Sequence, residues 1–146
     1  MIRSFEPSDT REKQYISFPR GLFGFEDFHS FVLVESEQSP LYWLQSVEDS
    51  ILAFPVIDPF LFRPDYEVNV GNEELAEIGI SEPKNVLILA VVTIPCGGGP
   101  LTANLQGPLI INRETNVGKQ VILDGPEWKT KHSILEELEE LAAHKC

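Results

Sequence analysis

The run VLILAVVTI, residues 86–94, is the strongest indication of the fold of this chain, because almost every position along it is apolar. A strand with one face in water alternates apolar and polar residues, whereas a strand buried on both faces is apolar throughout. The run therefore predicts a central β-strand with hydrophobic core on either side of it. It is shorter than the roughly 18 apolar residues that a membrane-spanning helix requires, and no other apolar run reaches that length.

Shorter segments of similar character lie on both sides of this run, separated by Gly, Pro, Asp and Asn. Spacing of this kind indicates an antiparallel sandwich or barrel. In YEVNV, alternation places Tyr66, Val68 and Val70 on one face of a strand. Pro55 marks its segment as an edge or bulged strand, because proline has no amide to donate. The predicted strands are 13–18, 31–35, 41–47, 51–57, 66–70, 86–94, 102–105, 108–112 and 119–123.

Two helices are predicted. Residues 73–78 follow Asn72, a good N-cap, and precede Gly79, a good C-terminal stop. Residues 134–144 follow Ser133, which begins the S-x-x-E pattern of a capping box. Apolar residues repeat at helical spacing in the second helix. They are expected to pack on the chain's own sheet, with a partner's groove as the alternative; they are Ile134, Leu135, Leu138, Leu141 and Ala142.

The expected organisation is one domain over residues 1–146, mainly β and resembling a small antiparallel barrel. Its β core covers about 13–123, with a short helix near 73–78 and a C-terminal helix over about 133–144. The two cysteines, at positions 96 and 146, lack the spacing of a zinc site, and their role stays open. The start of the chain lacks the apolar stretch of a secretory signal, so a cytoplasmic location is expected. A monomer is expected because the sequence shows no strong coiled-coil or self-complementary pattern.

The net charge of −12 is concentrated in one part of the chain. Residues 21–82 contain thirteen acidic residues and a single basic one, Arg63. Proteins that bind RNA or DNA directly carry a basic footprint, so this segment argues against direct nucleic-acid binding. It favours a basic protein partner, because opposite electrostatic fields steer encounter. The alternative is an acidic surface that serves solubility alone.

The sequence does not predict an enzyme. Cys96 precedes three glycines whose amides could stabilise an oxyanion, but a cysteine nucleophile also needs a histidine within hydrogen-bonding reach. The histidines, which occur in no recognisable catalytic context, are His29, His132 and His144. The sequence contains no serine-hydrolase elbow, P-loop, zinc-protease motif or EF-hand spacing. We therefore predict no catalytic residue, no metal and no cofactor.

Three long motifs occur along the chain: FPRGLFGFEDF at 18–28, LQSVEDSILAFPVIDPFLFRPDYEV at 44–68, and LTANLQGPLIINRETNVGKQVIL at 101–123. They resemble FPxGLPGFExF, LQSxEDPxLAFxVxDPxxFxPDYExx and TANLxAPIxINxxxxxGxQxIL, patterns of the flagellar assembly factor FliW family. Phe23 and Ser50 stand where the family usually has proline. The resemblance follows the family order and covers about residues 15–123.

This resemblance implies a small barrel-like protein without enzymatic activity that works by exchanging partners. Members of the family bind flagellin in the cytoplasm. When free of flagellin they bind CsrA, the translational repressor of flagellin mRNA, away from its RNA-binding surface and so relieve repression allosterically. The implied partners are therefore CsrA and flagellin, with no membrane and no direct nucleic-acid contact.

The candidate partner-binding residues combine exposed aromatic and acidic side chains of FLFRPDYE with polar residues of the third motif. An apolar contact or added strand would bind flagellin there, and the acids of 21–82 would recruit CsrA. Two alternatives stay open: the aromatics belong to the core, and the Asn and Thr side chains bond turn amides. Different functional classes are a small-ligand or flavin/nucleotide-binding split barrel and a chaperone of broad specificity. The candidate residues are Asp58, Phe60, Phe62, Asp65, Tyr66, Glu67, Thr102, Asn104 and Asn112.

Overall fold

Strands make up much of the regular structure in residues 14–145, the part of the chain that the computed structural model describes. Side chains are described up to residue 142, apart from Pro83, so predictions on Lys13, His144 and Cys146 lie outside the described side chains. The strands are β1 Gln14–Ser17, β2 Ser30–Glu35, β3 Tyr42–Ser46, β4 Ala53–Ile57, β5 Val86–Thr93, β6 Thr102–Ala103, β7 Leu109–Asn112, β8 Val117–Gln120 and β9 His132–Ser133. The α-helices are α1 Asn72–Glu77 and α2 Ile134–Lys145, and short 3₁₀ turns span Pro59–Leu61 and Pro83–Asn85.

The strands close into a barrel in the order β4-β3-β2-β1-β8-β7-β5, and pairing between β4 and β5 completes the ring. Closure removes the free strand edges that would otherwise template aggregation. The predicted mainly β, barrel-like fold is confirmed. One pairing in the ring, β1 with β8 at Ser17 and Val117, is parallel, while the others are antiparallel. β6 and β9 lie outside the ring. β6 pairs with the last residues of β5, Val92 and Thr93, and β9 pairs with β6.

Strand β5 contributes to two hydrophobic cores, as its continuous apolar run predicts. Leu87 and Leu89 point into the barrel, where they join a core with Phe18 and Phe31. The alternate residues, among them Ile88, face a second core outside the barrel. The segment 58–80, together with residues 121–128, covers this second core. A fully buried large apolar side chain stabilises the fold by about 1.5–3 kcal/mol. Because β5 contributes such side chains to the barrel core and to the second core, it stabilises both.

The ends of the helices are close to the predicted positions. Gly79 follows α1 with a φ of 75°, a left-handed conformation that glycine adopts without steric cost, so the predicted stop is confirmed. The N-cap is Gly71 and makes no side-chain bond, since Asn72 is already helical. At the start of α2 the amide of Glu136 donates to Ser133 Oγ at 3.4 Å. Among the described helices, none is long and apolar enough to span a membrane.

The N-cap prediction for Asn72 is wrong, and so is the edge or bulged strand expected at Pro55, because β4 pairs in regular register with β3 and also pairs with β5. Three further predictions about local structure are wrong. Residues 66–70 form no strand, although Tyr66, Val68 and Val70 are more buried than Glu67 and Asn69 between them. Strand β9 was not predicted, so the β structure continues past the expected limit of 123. The apolar residues of α2 do not all pack on the sheet: Ile134 packs against the second core, but Leu135 is 63% exposed and Leu138 is also exposed.

Candidate protein-docking surface

The aromatic residues of FLFRPDYE belong to the core. Phe62 is 1% exposed and Tyr66 is buried in the second core, with Phe60 partly buried against them. Asp58 Oδ1 accepts a hydrogen bond from the amide of Phe60 at 2.9 Å, which caps the 3₁₀ turn that carries these rings inward. The expectation that Phe62 and Tyr66 offer an exposed aromatic surface is therefore wrong, because this turn folds back over β5.

A polar cluster locks the same turn to the C-terminal segment. Arg63 donates to Asp65 at 2.8 and 2.9 Å and to both oxygens of Glu137 at 3.1 Å, and its guanidinium lies 4.7 Å from the Trp128 ring centre. The hydrogen bonds from Arg63 hold the pKa of Asp65 below its usual value. Tyr66 Oη donates to the Leu105 carbonyl at 2.6 Å, and burial raises the pKa of Tyr66. Most polar groups of this turn are thus engaged within the chain.

The polar residues of the third motif bond backbone groups, as the alternative interpretation held. Asn104 Oδ1 accepts from the amides of Gln106 and Gly107 at 3.1 and 2.8 Å. Asn112 is buried; its Nδ2 donates to the Ile78 carbonyl at 2.9 Å and its Oδ1 accepts from the amide of Glu114 at 2.9 Å. Asn112 is therefore closed to a partner. Thr102 is half-buried in β6, opposite Ser133, whereas Asp65 and Glu67 are exposed.

The LQSVED part of the second motif builds the loop between β3 and β4. Gln45 Nε2, whose two hydrogens are shared among four loop carbonyls, lies 3.0 to 3.3 Å from their oxygens. Ser46 Oγ accepts from the amides of Glu48 and Asp49 at 3.1 and 3.0 Å. The loop is held by its own polar side chains, and it presents Ile51 at 90% exposure. Gln45 and Ser46 therefore fix the backbone of the loop that carries the exposed Ile51.

Glu48 fastens this loop to the start of β2, which yields a prediction on pH. Its Oε1 accepts from the amides of His29 and Ser30 at 2.7 and 3.0 Å, and these bonds, Ser30 first, lower the pKa of Glu48. A lowered folded-state pKa gives stability above the unfolded value, near 4.5, that is lost as pH falls through the folded value. We expect Glu48→Gln to lower the melting temperature at pH 7, and the difference in melting temperature from wild type to disappear toward pH 3.

Glu37→Gln is the control, because Glu37 is an exposed carboxylate without a described hydrogen bond. Its difference in melting temperature from wild type should not shrink as the pH falls. A difference for Glu48→Gln that is equal at pH 7 and pH 3 would contradict the prediction.

The outer side of β1 to β4 carries an apolar surface that no other described element covers. Alternation sends the neighbouring residues Phe31, Leu33 and Leu44 into the barrel, so the intervening residues point outward. Cross-strand pairs join them: Tyr15 lies opposite Val32, Val34 opposite Trp43, and Trp43 opposite Pro55. Tyr15 is 57% exposed, Val34 39% and Trp43 37%. We call this surface the outer apolar face; its members are Tyr15, Val34, Trp43, Val47 and Pro55, which surround the buried Val32.

Acidic residues stand at both ends of the outer apolar face. Glu35 and Glu37 are exposed where β2 turns into β3, and Glu48 is exposed where β3 ends. No lysine or arginine occurs in 21–62, the segment that supplies β2, β3 and β4. Exposed apolar patches with a polar rim mark sites of protein interaction. The arrangement suits a partner that combines apolar contact with basic charge.

The candidate site was not predicted from sequence, although a signal was present. The runs at 31–34 (FVLV) and 41–44 (LYWL) are apolar at every position, a pattern typical of strands covered on both faces. The structure covers one face with the barrel interior and leaves the other open. As for chemistry, the part of the chain described here holds no cluster of potential metal ligands. Cys96 is exposed. His132 has a structural contact, since its Nε2 accepts a hydrogen bond from the amide of Lys129 at 2.8 Å.

Comparisons with known proteins agree with this fold over nearly the whole chain. The family model described as FliW protein matches residues 2–134. The chain is a member of the FliW family. It is 49% identical over 130 residues to the flagellar assembly factor FliW of Treponema denticola, covering 89% of this chain and 88% of that one. It is 47% identical over 132 residues to the FliW of Treponema pallidum, covering 90% and 88%.

A solved structure supports the same placement. The crystal structure of a flagellar assembly factor FliW matches with a TM-score of 0.75 and 33% sequence identity, covering 90% of this chain and 89% of that one. These FliW relatives are named as assembly factors and not as enzymes. The expectation drawn from the three motifs is confirmed at the level of the family.

Proposed function

We propose that this FliW-family chain is a non-enzymatic regulator in the cytoplasm that binds flagellin and, when free of it, binds CsrA. Binding to CsrA antagonises that repressor allosterically and restores translation of flagellin mRNA. The observation that carries the proposal is the outer apolar face, since an exposed apolar surface with an acidic rim suits protein recognition and not catalysis. Membership of a family of flagellar assembly factors supports the flagellar context.

The acidic rim favours CsrA as the partner of the outer apolar face. A protein that binds RNA carries basic charge, because phosphate contacts require it, and the field of that charge steers an acidic partner even when the contact lies away from the RNA-binding surface. Glu35, Glu37 and Glu48 are exposed around the face, without a lysine or arginine in the surrounding segment 21–62 to neutralise them. An RNA strand would be repelled by the same charges. The rim therefore attracts a basic protein and discriminates against nucleic acid.

Titration calorimetry with purified CsrA, repeated after saturation with cognate flagellin, tests the proposed exchange. We expect CsrA to bind the free chain and to lose that binding once flagellin is present. Binding of CsrA that is unchanged by flagellin would show independent sites and would overturn the exchange. Absence of binding to either protein would overturn the proposed function as a whole.

The affinity for CsrA is expected to fall with rising salt. Exposed charges are screened over about 8–10 Å near physiological ionic strength and over about 3 Å at 1 M. Raising sodium chloride from about 50 mM to about 500 mM should therefore weaken binding by roughly tenfold, chiefly through the association rate. Stopped-flow or surface plasmon resonance at several salt concentrations measures this. An affinity that stays flat would remove the electrostatic contribution while leaving the apolar contact in place.

A further inference from the structure

A second surface lies on the opposite layer of the molecule, over the second core. It is an open groove of about 760 Å³. Its apolar lining comes from β5 and β7, through Val86, Ile88 and Ile110, and from α1, through Leu75 and Ala76. The other wall is the segment 66–70, which contributes Val68, Asn69 and Val70. This groove shares no residue with the outer apolar face.

Within the described residues, the wall formed by residues 66–70 has backbone groups without a partner. Burial alternates along this segment in the manner of a strand, yet it pairs with no described strand. None of the hydrogen bonds within the described residues involves the backbone amides or carbonyls of Glu67, Val68 or Asn69. Extended backbone with unpaired groups is a template for an added strand. Here that template borders an apolar groove that can receive side chains.

We propose that the groove binds an extended peptide, which pairs with residues 67–69 as an added β-strand and places alternate apolar side chains on Val86, Ile88 and Ile110. Strand pairing supplies backbone hydrogen bonds, and the groove floor selects apolar side chains at every second position. The inference goes beyond the proposed exchange of CsrA and flagellin, since it does not depend on either protein.

The charges around the groove select a basic flank on the peptide. Glu67 is exposed next to Val68 of the groove wall and forms no ion pair with a described residue. Glu82 lines the groove and lies 3.4 Å from Lys84 at the exposed surface. A lysine or arginine next to the apolar positions would meet these carboxylates, so the preferred occupant is an apolar strand flanked by basic residues.

Fluorescence anisotropy with a fluorescein-labelled peptide, Arg-Val-Thr-Val-Thr-Val-Thr-Arg, tests this proposal. The full chain should bind it saturably. An analogue N-methylated at alternate residues keeps its side chains but cannot complete strand pairing, and we expect it to bind at least about tenfold more weakly. Equal binding of the two peptides, or no binding of the first, would overturn the strand-addition proposal.

Two variants of α1 provide the matched control. Ala76→Trp fills the groove from an exposed helical position, whereas Glu73→Trp places the same side chain on the same helix outside the groove lining. We expect Ala76→Trp to lose peptide binding at least tenfold and Glu73→Trp to keep it. Retained binding in Ala76→Trp would place the peptide elsewhere. Calorimetry with CsrA on Ala76→Trp separates the two proposals, because the outer apolar face is unchanged in that variant.

Discussion

Serine in place of Phe62 is expected to lower the free energy of unfolding by about 4 kcal/mol. Phe62 is 1% exposed and packs in the second core, so its removal leaves a cavity beneath the 3₁₀ turn. The serine hydroxyl adds the cost of a polar group buried among apolar side chains. Since a domain of this size is stable by about 5–15 kcal/mol in total, the variant loses roughly a quarter or more of its stability. Urea denaturation followed by circular dichroism measures the change.

The neighbouring residue supplies the control. Leu61 is 49% exposed, so Leu61→Ser removes little buried area and is expected to cost less than about 1 kcal/mol. A Phe62→Ser variant that remains as stable as wild type but loses flagellin binding would contradict the core assignment. It would return this ring to the partner-binding surface on which the sequence pattern first placed it.

The barrel could be predicted from sequence where one signal has one physical cause. The run at 86–94 is almost entirely apolar because β5 packs against a hydrophobic core on each of its two faces, as the structure shows. Gly79 marks the end of α1 because the backbone there needs a left-handed conformation. In both places the residue types that the sequence contains are those that the folded environment requires. The local sequence pattern is therefore sufficient to predict the structure there.

The segment 66–70 shows where the pattern is insufficient. Alternation reports that one face of an extended segment is buried, and Tyr66 is indeed buried beneath it. It does not report whether a neighbouring strand has a free edge. Pairing of β4 with β5 closes the ring, and the segment therefore crosses the outside of the barrel without a partner. That outcome depends on residues far away in the chain.

The candidate docking site was hidden for a related reason. The long motifs are conspicuous, but Gln45, Ser46 and Asn112 within them bond backbone groups and fix loops. The motif residues that identify the family therefore have a structural role in this chain, because they fix its loops. The outer apolar face consists of ordinary strand residues, which become recognisable only when the topology shows that no described element covers them.

Trp43→Ser is expected to weaken CsrA binding by about 30-fold or more while leaving the fold stable. Trp43 stands between Val34 and Pro55 on the outer apolar face, with 37% of its surface in solvent. Large aromatic residues at the centre of an interface dominate its energy, and truncation of one costs about 2 kcal/mol or more. Serine removes the contact without changing the charge of the rim. Calorimetry measures the affinity, and thermal melting checks the fold.

Leu135→Ser is the matched control for this variant, because Leu135 is 63% exposed on α2 and is not part of the outer apolar face. If exposed apolar area alone attracted CsrA, both variants would weaken binding alike. If the cross-strand cluster is the docking surface, only Trp43→Ser does so, and the salt dependence of its residual binding stays that of wild type because Glu35, Glu37 and Glu48 remain. Unaltered CsrA affinity in Trp43→Ser would exclude the outer apolar face as the binding site. The acidic charge of 21–82 would then act only through long-range steering, which changes association rates more than the lifetime of a complex.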